Sequence, residues 1–144
     1  MHARSHFISQ LLLLCPARLC LFFSHGQTTL VSIPHANGEI GAIQPISAAA
    51  KIIRTHAPGA LLHIDCSQSL GKTDVSAEEL TVDFITIAGH KIYAPKGVGA
   101  LYVRDRRLLP LLHGGGQQDN YRGVGKGDLF VCRSALLQLS RGFF

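Results

Sequence analysis

Lys91 stands just after an apolar, β-rich run, Phe84–Ala88, and beside His90. An amine at the end of such a strand can be partly desolvated. It is then easier to deprotonate and suited to attack a carbonyl carbon. Upstream, Asp65 closes a second apolar run, Leu61–Asp65, and Gln68 follows it in the next turn. A lysine can hold an aldehyde cofactor as an imine, and an aspartate can keep a pyridine nitrogen protonated so that the ring draws electrons. In such a set Gln68 would donate to a ring hydroxyl oxygen, and His90 would reach a phosphate or the ring. Each residue also has a plainer role. Asp65 can cap a strand, Gln68 can be a solvated turn residue, and His90 a satisfied, semi-buried histidine. Lys91 and Lys96 can be the cations of a surface loop between two strands.

The elements that must position these residues are readable from residue pattern. Thr28–Ile33 (TTLVSI) is β-branched and apolar, as a buried strand is. His35–Gly41 (HANGEIG) is turn chemistry. Pro45 can open a helix, and Ile46, Ala49, Ala50 and Ile53 follow at spacings of three and four, with an end expected near Pro58-Gly59. Leu61–Asp65 (LLHID), Phe84–Ala88 (FITIA) and Gly99–Val103 (GALYV) are further strands, and Ser76–Leu80 is a short helical turn. Leu129–Leu139 reads as a helix. This rhythm of strand, helix, strand, connector, strand predicts an α/β fold with a mostly parallel sheet and flanking helices. Ligands of such sheets bind beyond the carboxyl ends of the strands. Asp65 and the pair His90-Lys91 are therefore expected to meet in one crevice.

Composition narrows the classes. A chain of 144 residues can form one domain, burying roughly two thirds of its unfolded surface. It is 47% hydrophobic and 16% charged, as globular chains are. The net charge is +5, but Lys and Arg are scattered and no aromatic residues interleave them, which argues against a nucleic-acid partner. The four cysteines form no CxxC pair, so free thiols in a reducing compartment are expected, the cytoplasm first. The eight histidines show no ligand spacing, and no metal site is expected. Leu70-Gly71-Lys72-Thr73 ends like a phosphate-binding P-loop, but Cys66 stands where the first glycine of that pattern belongs. No GxSxG elbow is present. The HGGGQ run at His113–Gln117 reads either as an anion-binding nest or as a plain connection.

Residues Met1–Gln27 differ in texture. They hold no acid, two arginines, and two apolar bursts separated by Pro16-Ala17-Arg18, which is not a convincing membrane span. A signal peptide fits poorly, because Ser24-His25-Gly26 makes a poor cleavage site, and two other readings stay open: an organellar (mitochondrial) presequence, or an artefact of the reading frame.

Taken together, HIDCSQSLGKTDV, VDFITIAGHKIYAPKGVGALYVR, LLHGGGQ and SIPHANGEIGAIQPI resemble the class V aminotransferase family, in its cysteine desulfurase and selenocysteine lyase branch. The likeness runs over about residues 28–122, in order and at natural spacing. It implies a partial pyridoxal phosphate-binding large domain of fold type I, flanked by a nonmatching segment 1–27 and a nonmatching tail 123–144. It further implies pyridoxal 5'-phosphate as cofactor, with Lys91 the Schiff-base lysine, Asp65 the partner of the pyridinium, Gln68 the ligand of the ring hydroxyl and His90 a neighbour of the phosphate. The substrate implied is a small amino acid, cysteine or selenocysteine, which loses sulfur or selenium to give alanine. Lys91 would move the proton at its Cα. Pairing of two copies across the cofactor site is implied as well.

The sequence also departs from the family pattern. Gly38 stands where a second asparagine is usual, and Ala88 where a serine commonly helps to bind phosphate. After HGGGQ comes Gln118, then Arg122-Gly123-Val124-Gly125, without the family's threonine. The first phosphate loop and the ring-stacking histidine have no counterpart in Met1–Gln27, and Cys132 lies in unrelated sequence and receives no role. The resulting expectation is a desulfurase-like chain that is weak or inactive alone. The alternative is a non-catalytic remnant or interaction module of the same fold that binds no cofactor.

Overall fold

In the computed structural model, residues 28–104 are described in full, together with the backbone pairing of residues 4–7 and 129–131. In chain order the elements are β1 (Arg4–Phe7), β2 (Thr28–Pro34), α1 (Ile46–His56), β3 (Leu61–Asp65), β4 (Phe84–Ala88), β5 (Gly99–Val103) and β6 (Leu129–Val131). A 3₁₀ turn, Gly89–Lys91, follows β4 directly. The strands form one sheet in sequential order, and β1 to β4 run parallel. β5 is antiparallel to β4, and β6 runs parallel to β5. This is the mostly parallel α/β sheet expected from the alternation of strand and helix.

Two periodicities explain the packing. Register aligns Val31 with Leu62 and Ile33 with Ile64, then Ile64 with Ile85 and Ile85 with Tyr102. Side chains alternate across a strand, so these residues share one face. On α1, Ile46, Ala49, Ala50 and Ile53 form the buried stripe, and they join the same core cluster. Burying each isoleucine of that stripe contributes about 1.5–3 kcal/mol. The helix stops at His56, two residues before Pro58, where the chain can no longer donate helically.

The opposite face is polar at its centre. Ser32 Oγ lies 2.7 Å from His63 Nδ1, and His63 Nε2 lies 2.8 Å from Thr86 Oγ1, a hydrogen-bonded row across three strands. The amino ends of β3 and β4 are clamped separately. Asp83 Oδ2 accepts from Arg54 Nη2 and from the Leu62 amide, each at 2.7 Å. Arg104 donates to the Val82 and Ala77 carbonyls.

Two terminal elements differ from expectation. Leu129–Val131 is a strand rather than the start of a helix, because its backbone pairs with the free edge of β5. The rest of the expected helix lies outside the described residues. Arg4–Phe7 adds a strand to the edge of β2 that no sequence pattern had announced. Of the other predicted elements, Ser76–Leu80 is a single turn, closed by the Leu80 amide on the Ser76 carbonyl. HGGGQ and Arg122 lie outside the described residues. No helix among those described is long and apolar enough to cross a membrane.

Candidate functional site

Three loops leave the carboxyl ends of β2, β3 and β4, and backbone hydrogen bonds tie the start of each of the first two to the neighbouring strand. The His35 amide donates to the Asp65 carbonyl at 2.8 Å, and the Cys66 amide donates to the Thr86 carbonyl at 2.9 Å. Below the surface, His35 Nδ1 and Ser69 Oγ lie 2.8 Å apart, joining the first loop to the second. Ser69 is almost fully buried and His35 nearly so. Burial pushes the His35 imidazole below its ordinary pKa. Sequence reasoning had assigned His35 to turn chemistry and Ser69 to nothing. Their pairing has no local signal, since the partners are far apart in the chain.

Asp65 ends β3 with its side chain exposed, where a buried aspartate would suit the expected role. Its Oδ1 accepts the Ser67 amide at 2.9 Å, an Asx turn that holds the carboxylate in one orientation. Register sets Asp65 beside Thr86 of β4. The Cys66 thiol is buried beneath this turn, and burial pushes it up to about 12. It is therefore a core group rather than a nucleophile. His63, on the same face as Asp65, is held below its ordinary pKa by burial, with the Asp65 charge opposing. Gln68 is half-buried, and its carboxamide packs against Gly38 of the first loop.

His90 and Lys91 occupy the 3₁₀ turn after β4. A Cβ on Gly89 would lie 2.6 Å from the Val98 carbonyl oxygen, so glycine is needed for the loop to close on β5. The Gly89 amide donates to that same carbonyl at 2.8 Å, and the Ile92 and Ala94 amides return to the Gly89 carbonyl. Tyr93 follows with φ at 67° and its ring fully exposed. Left-handed backbone at an aromatic residue costs roughly 1–3 kcal/mol.

The structure thus brings the four candidates to the carboxyl ends of two adjacent parallel strands, as expected. It corrects the expected surroundings of two of them. Lys91 is exposed rather than partly desolvated, and His90 is exposed, which sets aside only its plainer reading as a semi-buried histidine. The apolar strand before Lys91 buries its own side chains, but the turn carries the lysine out of the core.

A loop-borne lysine beyond one strand and an oriented carboxylate at the end of its neighbour lie on the carboxyl edge of a mostly parallel sheet, the edge at which α/β sheets generally take ligands. The chain belongs to the aminotransferase class-V family, whose profile matches residues 23–126. It is 48% identical over 107 residues to the cysteine desulfurase IscS of Mannheimia succiniciproducens, covering 72% of this chain and 25% of that protein. It is 44% identical over 115 residues to the IscS of Buchnera aphidicola, covering 72% of this chain and 28% of that protein. The chain thus spans about a quarter of the length of these curated relatives. Among solved structures, it is similar to SspA in complex with cysteine, with a TM-score of 0.64 and 37% identity over 81% of this chain and 32% of that one. DndA from Streptomyces lividans matches with a TM-score of 0.57 and 40% identity over 72% of this chain and 30% of that one.

Proposed function

We propose that this chain carries the lysine-bearing part of a pyridoxal phosphate-dependent cysteine desulfurase. The observation that carries this reading is the placement of Asp65, Gln68 and Lys91 after the carboxyl ends of the adjacent strands β3 and β4, in a chain of this family. The donor set fits the ring of that cofactor. Asp65 Oδ1 is held by the Ser67 amide, and Oδ2, with no partner among the described residues, is available to accept a ring N–H. Gln68 Nε2 offers a donor for the ring oxygen. Pyridoxal phosphate, when bound, supplies an aldehyde for an amine and a ring that accepts electrons from the substrate Cα.

The chain's own residues would then divide the work. Asp65 keeps the ring nitrogen charged by pairing with it, Lys91 holds the aldehyde carbon and moves the proton at Cα, and His90 contributes near the phosphate. The substrate is cysteine, or its selenium analogue, and the cofactor site would be completed between two copies of the chain. We place the protein in the cytoplasm, with the mitochondrion as the other compartment that residues 1–27 suit.

One observation favours a weaker version of this reading. Lys91 is exposed and Ala88, three residues earlier, offers no hydroxyl to a phosphate. Each charge-assisted hydrogen bond missing from the phosphate site lowers affinity by about 1.5–3 kcal/mol. The second reading, a non-catalytic remnant or interaction module that binds no cofactor, rests on that loss.

Titrating the purified chain with pyridoxal phosphate tests the two. A visible absorbance band from lysine-bound cofactor is expected, and Lys91→Ala should abolish it. Alanine release from cysteine then measures turnover, which should be slow. Absence of the band at saturating cofactor overturns the enzymatic reading.

A further inference from the structure

We propose that β1 is a built-in edge strand: residues 4–7 stay with the folded chain and close the side of β2 that would otherwise pair with a strand of another copy. The family profile matches residues 23–126, and β1 lies outside it, yet its backbone continues the parallel sheet beside β2. Cleavage of residues 1–27 as a leader would remove β1, so the proposal keeps them in the folded protein. It stands apart from the cofactor reading, because no residue of the candidate site takes part in it.

Without β1, β2 would be the outermost strand, and it is poorly suited to that place. It is the longest strand described, seven residues, and TTLVSIP holds no charged residue. Val31, Ser32 and Ile33 are buried. Exposed sheet edges are usually short, charged, irregular or proline-bearing, because a long apolar edge with free donors recruits further strands. β1 has three of those features. It is four residues long, carries Arg4, and shifts its register between Arg4 and Ser5. Residue pattern thus suits β2 to the inside of a sheet and β1 to its border.

Alternation shows which backbone groups are at stake. The His35 amide donates to the Asp65 carbonyl, so at the end of β2 this residue is turned to β3. Successive amides of a strand point to opposite sides, so Val31 and Ile33 also face β3, while Leu30 and Ser32 face β1. Pro34 falls on the β1 side, and β1 ends at Phe7, opposite Ser32. The edge beyond the end of β1 therefore begins with a residue that has no N–H to leave unpaired. His6 lies opposite Val31, which is turned to β3, so the N–H and C=O of His6 face β2 and those of Ser5 face outward. Residues 8–27, which connect the two parallel strands, exceed the roughly dozen residues that such a crossover needs.

Hydrogen exchange in the full-length chain, read at single amides, tests this. The Leu30 and Ser32 amides should be protected together with those of Val31 and Ile33. His6→Pro removes the donor that faces β2 and should speed exchange at Leu30 and Ser32 about tenfold, the worth of one backbone hydrogen bond. Ser5→Pro, whose amide faces outward, should change it by less than about twofold. At raised concentration the His6→Pro chain should also gain mass by light scattering, and the Ser5→Pro chain should not. Unprotected Leu30 and Ser32 amides in the unmodified chain overturn the proposal, a result that needs no variant to fold. Equal exchange in the two proline variants overturns it as well, and so does an unchanged mass of the His6→Pro chain.

Discussion

The α1 face of the sheet and the loops beyond its carboxyl edge are built on opposite terms. On the face, Val31, Ile33, Leu62, Ile64 and Ile85 are closed off from solvent by one another and by the stripe of α1. Beyond the edge, Lys91, His90 and Asp65 are exposed, and Tyr93 is both strained and bare. The face spends its residues on stability and presents no reactive group. The edge presents every candidate for chemistry and is held in shape by backbone hydrogen bonds and glycines. The difference teaches that site and core share strands but not side chains, because alternation sends one set inward while the loops take over where pairing ends.

That division is open to direct challenge. The largest effect is expected from Ile64→Ala, which removes a fully buried side chain at the centre of the face and should cost about 2–5 kcal/mol in urea unfolding. An effect below about 1 kcal/mol would mean that the face is not the stabilising region.

Gly89→Ala sharpens the boundary from the other side. It lies in the site loop, yet its new Cβ meets the Val98 carbonyl oxygen, so it should behave like an overpacked core and cost about 1–3 kcal/mol. A chain as stable as the unmodified one would show that the loop yields, and that its shape is not enforced by Gly89.

The smallest effect is in pH dependence. Burial holds His35 and His63 below the ordinary value of 6.5, so the unfolded chain binds protons that the folded chain refuses. Stability is therefore full above pH 6.5 and should fall as pH drops through it, which thermal melts between pH 7.5 and pH 5 will read. The combined change His35→Asn and His63→Asn should flatten that slope. Cys66 acts in the opposite range: its thiol stays protonated when folded, so stability should fall as pH rises from 9 toward about 12. An acid limb that survives both histidine substitutions would place the pH sensitivity elsewhere.

Much of this was legible in residue order, and the misses have physical causes. The stripe Ile46, Ala49, Ala50, Ile53 named the buried face of α1 because helical period is a local property. The run LLHID named a strand and its carboxyl end, and with it Asp65. Residues 129–131 were misread because LFV is apolar enough for helix or strand, and a free sheet edge settled the choice. Lys91 was expected to be partly desolvated from the apolar strand before it. The 3₁₀ turn at Gly89–Lys91 instead carries it outward, a rotation that composition does not encode.

Residue order alone named the candidates for chemistry and the periods that make strands and helix, since both depend on residue type and near neighbours. Only the tertiary structure decided what surrounds them. The His35–Ser69 bond, the polar row through His63 and the packing of Gln68 against Gly38 join residues distant in the chain. Such contacts exist only once loop closure has brought the strand ends together, and no local pattern records which side chain will fill the space that a glycine leaves.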